Sequence, residues 1–239
     1  MKHEPTLARL GKLLSAVVLA ALALSILAWA AASFEWREIV QHVVIQPDGT
    51  VVVSDERTLW TPDEDFGEAF ICVGHPDHVR LTLLEGSGAL SPGPDAFAFQ
   101  QPCAAGTEVV VRNAQRVQER RVRFVYQLEG TVDAYTDVVQ WYWNLIQLDH
   151  PPIVGYALRV QAPGPMAAPY DAFVMRYANP EIPRVRLSAD RSALTVKFDR
   201  IPRWRGVEVR YLMDPGLFTL EGSRPALEEF LRDQGRIGR

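Results

Sequence analysis

Apolar and polar positions alternate with period two along much of the chain beyond residue 38, which is the pattern of strands with one buried face. Val79-Leu81-Leu83, Val122-Phe124-Tyr126-Leu128, Leu194-Val196-Phe198 and Val207-Val209-Tyr211 all follow it. The interleaved Arg121, Arg123, Thr195, Lys197, Glu208 and Arg210 are expected to face water. Ile39 to Ile45 and Val51 to Trp60 flank Gln46-Pro47-Asp48-Gly49-Thr50. Proline there presets the first turn position and glycine accepts a positive φ, so the two runs predict a β-hairpin. Shorter strand candidates occupy 107–112, 153–160, 173–177 and 184–187, and Ser188 to Ser192 reads as the turn of a late hairpin. Proline and glycine cluster at 86–94, 151–155, 163–169 and 214–216, where loops belong. Many short strands with such punctuation predict an all-β fold, an antiparallel β-sandwich.

Three segments depart from that period. Tyr135, Val138, Val139, Tyr142, Leu145 and Ile146 recur at helical spacing, yet Trp141-Tyr142-Trp143 suits an extended aromatic strand. A turn or short helix is expected near Asp137. At the far end Ser223 and Pro225 predict a short C-terminal helix running through Leu227, Phe230 and Leu231 to Gly235. At the near end no charge occurs between Leu13 and Ala32, a stretch long enough to cross a bilayer as a helix. Lys2, Arg9 and Lys12 precede it against Glu4 alone, which keeps the N-terminus in the cytoplasm and places the rest outside. Ala28-Trp29-Ala30 and Ala30-Ala31-Ala32 also fit a signal peptidase site, and cleavage there would release a secreted or periplasmic domain. The expected organisation is a cytoplasmic N-terminus at 1–12 and a signal anchor or signal peptide at 13–34. A β-sandwich domain at 35–222 and a helix with tail at 223–239 follow.

The whole chain carries net charge -4, and residues 1–32 hold three of its basic groups and one acid, so the remainder is more acidic still. That balance offers no general attraction to nucleic acid. The two cysteines, Cys72 and Cys103, would meet an oxidising compartment, where such a pair tends to form a disulfide. Closing a loop of about 32 residues contributes roughly 3 to 4 kcal/mol in the chain-entropy picture.

Several of these residues carry a family resemblance. Ile39 to Gln46, Asp48-Gly49, Val51-Val52-Val53-Ser54-Asp55 and Leu59-Trp60 form one signature. Phe124-Val125-Tyr126 with Asp137-Val138-Val139-Gln140-Trp141-Tyr142-Trp143 form a second, and Gly206 to Arg210 with Pro215-Gly216-Leu217-Phe218 a third. The chain resembles the extracytoplasmic domain of the uncharacterised bacterial DUF2207 membrane proteins over about residues 35 to 220. Asp55 stands where that family usually has glutamate. The resemblance implies a location and a fold, with Asp137, Trp141 and Trp143 as structural anchors or interaction residues, and no reaction. Family members commonly continue into another membrane segment; against that pattern a sequence ending at Arg239 resembles a stand-alone or truncated form.

Candidate chemistry is sparse. Cys72, His75 and His78 form C-x2-H-x2-H, and Cys103 would complete a four-ligand set for zinc or copper, in competition with a disulfide. Asp133 and Asp137 sit four apart and would share a face if that stretch were helical, and glycosidase chemistry needs two carboxylates straddling a pocket. His150 has no serine or cysteine placed to complete a triad with it, and no phosphate-binding glycine loop occurs. Arg112, Arg116, Arg120, Arg121 and Arg123 form the densest basic patch, and Trp60, Trp141, Trp143 and Trp204 could line a binding surface. The expected function is a non-enzymatic domain held to the cytoplasmic membrane through residues 13–34 and used in interaction with an envelope or membrane protein or in envelope organisation, without cofactor. A glycan- or metal-binding module is the alternative, and a hydrolase stands behind both.

Overall fold

The structure, a computed structural model, describes residues 34–61, 68–74, 78–88, 97–103, 106–112, 118–147, 150–177 and 181–228. The expected membrane helix at Leu13–Ala32 lies outside them, as do His75, Asp77, Arg116 and the C-terminal helix beyond Glu228. Among the described residues no helix is long and apolar enough to cross a membrane. The chain divides at Phe34, and Glu35–Arg239 holds every element described.

Fourteen strands and one short 3-10 turn, Pro215–Leu217, make up these elements. The first seven are β1 (Glu35–Ile45), β2 (Val51–Trp60), β3 (Glu68–Gly74), β4 (Arg80–Gly88), β5 (Phe97–Cys103), β6 (Gly106–Arg112) and β7 (Glu119–Glu129). The rest are β8 (Val132–Ala134), β9 (Val139–Ile146), β10 (Tyr156–Gln161), β11 (Ala172–Tyr177), β12 (Arg184–Leu187), β13 (Ala193–Phe198) and β14 (Gly206–Met213). They form a seven-stranded sheet, β12-β13-β10-β1-β2-β7-β4, a four-stranded sheet, β11-β14-β9-β8, and a three-stranded sheet, β3-β6-β5. The domain is all-β, as the alternation predicts. One pairing departs from the antiparallel expectation, because β1 and β10 run parallel, with Ile39 opposite Tyr156 and Val43 opposite Val160.

The first hairpin forms where the Pro-Asp-Gly turn places it. Gly49 has φ +80, a conformation that costs glycine little, and Thr50 N–H donates to Asp48 Oδ1 at 2.9 Å. A Cβ on Gly49 would lie 2.7 Å from Leu220 Cδ2, so the turn also needs glycine for space. Alternation then sorts β1: Ile39, Gln41, Val43 and Ile45 are buried, while His42 and Val44 are exposed. The same side of the sheet buries Val51, Val53, Val122, Phe124, Leu128, Leu158, Val160, Leu194 and Val196. Each large apolar side chain taken fully from water contributes about 1.5 to 3 kcal/mol.

In the four-stranded sheet Val139, Trp141, Trp143, Val207, Val209, Tyr211 and Met213 are buried in one row of positions. The two sheets meet as a sandwich. The Tyr211 hydroxyl donates to the Arg191 carbonyl in the β12–β13 turn, and Val132 of β8 comes close to Gly49 in the β1–β2 turn.

The chain bends at Thr136 and Asp137, the turn of the two options there, and the aromatic block continues as strand β9. One local expectation is corrected. Glu208 does not face water. It is buried on the second face of β14, where the Tyr142 hydroxyl donates to its carboxylate and the Arg210 guanidinium lies over Tyr142, 5.3 Å from the ring centroid. Contacts with side chains on its own face bury Glu208, so alternation alone misplaces it.

Candidate functional site

The inner face of the seven-stranded sheet carries a polar cluster in its apolar field. Val51, Val53, Asp55 and Arg57 occupy alternate positions of β2, so the acid and the arginine point to the same buried side as the valines. Register sets Gln41 of β1 beside Asp55, and Tyr126 of β7 beside Val53 one step along. Tyr156 of β10 stands beside Ile39, which itself neighbours Arg57. Four central strands thus supply one cluster.

Asp55 has 0% exposure. Arg57 holds it in a fork, Nε donating to Oδ1 and an Nη to Oδ2, both at 2.8 Å. Gln41 Nε2 donates to Oδ2 at 2.7 Å, and the Tyr156 hydroxyl donates to Gln41 Oε1 at 2.7 Å. The Arg57 guanidinium also lies 5.0 Å over the Trp36 ring. Burial opposes the charge on Arg57, but Asp55 more than offsets it and the guanidinium pKa rises above its ordinary value. Burial, and then the negative charge of Asp55, push the Tyr126 and Tyr156 phenols well above theirs.

The cluster is chemically closed. A general base must lie within reach of the proton it takes, and Asp55 is wholly buried with both oxygens accepting from neighbouring side chains. Its effect is to pin the register of β1, β2 and β10, because a slip of one residue would carry the carboxylate to the opposite face. Sequence reasoning missed this cluster. The available signal was an acid and an arginine standing in phase with Val51 and Val53.

The residues singled out from sequence are scattered. Cys72 is half-buried in β3 and is disulfide-bonded; Cys103, at the end of β5, is the other cysteine of the chain. A disulfide sulfur is no thiolate ligand, His78 is exposed before β4, and His75 lies outside the described residues. Among the described residues no group of three or more His, Cys, Asp or Glu is placed to hold a metal ion. Asp133 and Asp137 share no helix. Asp133 pairs with Arg224 at 3.0 Å, and Asp137 Oδ1 accepts from the Leu227 N–H at 3.0 Å, capping the start of the C-terminal turn. Trp141 is 0% and Trp143 8% exposed, so both are core side chains and offer no platform to a sugar. Within the basic patch Arg120 is buried, Arg121 is exposed, and Arg123 reaches Ser54, Glu56 and Glu85. His150 lies between two backbone carbonyls, those of Pro151 and Arg205.

The fold and its closed cluster define an all-β sandwich domain with a polar cluster built into the sheet and sealed from solvent. The chain belongs to the DUF2207 family: the predicted membrane protein (DUF2207) N-terminal domain matches residues 39–213, from β1 to the last residue of β14. No curated protein matches it. Among solved structures it is similar to yeast LTA4 hydrolase in complex with bestatin, at 10% identity and TM-score 0.49. That likeness covers 74% of this chain and 28% of the other. An M1 zinc metallopeptidase from Deinococcus radiodurans is similar at 12% identity and TM-score 0.42, over 74% of this chain and 42% of that one. The chain thus spans less than half the length of either protein, and likeness at this level transfers no chemistry.

Proposed function

We propose that this chain is a membrane-tethered extracytoplasmic domain that binds a protein partner in the cell envelope and performs no catalysis. Family membership supports the membrane, and the disulfide at Cys72 supports an oxidising compartment. The observation that carries the binding role is a pair of open strand edges. β11 ends the four-stranded sheet and β12 ends the seven-stranded sheet, and they follow one another in the chain. Phe173 on β11 is 49% exposed and Val185 on β12 is 44% exposed. An extended segment of a partner can add to such an edge through main-chain hydrogen bonds, with neighbouring apolar side chains setting preference.

Photocrosslinking tests this in the native membrane. A photoreactive amino acid at Phe173 or at Val185 is expected to trap one recurrent protein, which the same probe at exposed Arg121 does not trap. Equal labelling from all three positions would remove the reading.

A further inference from the structure

The end of the seven-stranded sheet at which β1 begins differs from the rest of the surface. Segment Pro152–Gly155 is sewn to β1 there: Trp36 N–H donates to the Pro152 carbonyl at 2.9 Å and Val154 N–H to the Trp36 carbonyl at 2.8 Å. Ile153 and Ile201 exchange backbone hydrogen bonds at 2.8 and 2.9 Å, which holds the loop after β13 against the same end. Glu181 accepts from the backbone N–H groups of Asp199 and Arg200, drawing residue 182 to that loop. Three of the seven large apolar side chains exposed among the described residues collect here: Val154 at 43%, Ile182 at 79% and Trp204 at 58%.

Trp204 is the most telling of them. Its φ is +62, a region costly for a bulky side chain, and it sits at the tip of the turn Arg203–Trp204 with its ring toward solvent. Arg200, Arg203 and Arg205 flank it, and none of the three pairs with an acid among the described residues. Of the acids at this end, Asp199 pairs with Arg184, Glu35 and Glu119 with Arg37, and Glu181 accepts from backbone, while Glu38 is exposed. The turn therefore presents an exposed indole flanked in sequence by arginines that pair with no acid among the described residues. Tryptophan prefers the headgroup level of a bilayer, where its ring is half apolar and half polar, and arginine is drawn to anionic lipid phosphates.

Sequence continuity identifies the occupant. The apolar run from Leu13 is followed directly by β1 at Glu35, so a bilayer that holds this run lies within a few residues of the β1 end of the sheet. We infer that this end, through Trp204, Ile182 and Val154 with Arg200, Arg203 and Arg205, rests on the anionic phospholipid surface of the membrane that tethers the chain. The inference rests on the tether of the proposed function but not on the protein partner. It fixes the orientation of the domain: β1 rises away from the bilayer, and a partner meets the free edges from the side.

The test uses the full chain in phosphatidylglycerol vesicles, with a photoreactive amino acid placed at Trp204 or, as a control, at exposed Val44 near the far end of β1. Lipid adducts are expected at 204 and only background at 44. The adduct should fall when phosphatidylcholine replaces phosphatidylglycerol, and also in the Arg200→Gln, Arg203→Gln, Arg205→Gln variant. Equal yields in the two lipids would overturn the role of the arginines. A chain that floats with the vesicles yet gives no lipid adduct at 204 would overturn the orientation and leave the tether standing. A chain that does not float would remove tether and orientation together.

Discussion

Asp55 and Glu56 are consecutive residues of β2, each beside an arginine, and the pleat sends them to opposite faces of one sheet. Asp55 is wholly buried and forked by Arg57 at 2.8 Å. The Glu56 side chain is 46% exposed, and it shares Arg123 with Glu85 at 3.6 and 3.4 Å. Composition cannot separate these pairs, but solvent can. Inside, loss of one partner strands a charge in a medium that cannot solvate it. Outside, water and salt screen the attraction and take the place of either partner.

Breaking the inner pair should have the largest effect. Asp55→Asn is expected to lower unfolding free energy by about 3 to 5 kcal/mol in urea titration of the full chain. A loss below about 1 kcal/mol would mean that water reaches the pair. Replacing both partners, as Asp55→Leu with Arg57→Met, should recover most of that loss, because no lone charge remains. Tyr156→Phe removes the donor to Gln41 Oε1, at an expected cost of about 1 to 3 kcal/mol.

Alkaline pH probes the same cluster without mutation. The Tyr126 and Tyr156 pKa values are raised on folding, so the stability they contribute is complete below the ordinary tyrosine pKa of about 10. It is then lost as pH climbs toward their folded values. The urea midpoint should fall above about pH 10, and Tyr156→Phe should flatten that fall. The smallest effect belongs to the outer pair: Glu56→Gln should change stability by no more than about 0.5 kcal/mol. A cost approaching that of Asp55→Asn would erase the contrast between the two faces.

Much of the fold was legible because local chemistry decides it. The Pro-Asp-Gly turn, the Ser188–Ser192 turn and strand Arg184–Leu187 all fall where residue pattern places them. Trp141 to Trp143 was ambiguous, since three successive aromatic residues show no polar alternation in sequence although the strand buries both tryptophans and leaves Tyr142 partly exposed. Glu208 misled for another reason, because its burial depends on Tyr142 of a strand distant in sequence. The parallel pairing of β1 with β10 leaves no local trace at all. The Asp55 cluster lay between these cases. Its phase was visible in β2, but Gln41 and Tyr156 complete it only through pairings distant in sequence.

That parallel pairing also sets a timetable for synthesis. β2 leaves the ribosome directly after β1, so the first hairpin can close early. The second edge of β1 has no partner until β10 has been made, on the order of ten seconds later at roughly 5–20 residues per second. During that interval the future centre of the largest sheet is an open edge, a template for any strand that meets it. The yield of this domain therefore depends on shielding during synthesis as well as on the stability of the finished sandwich.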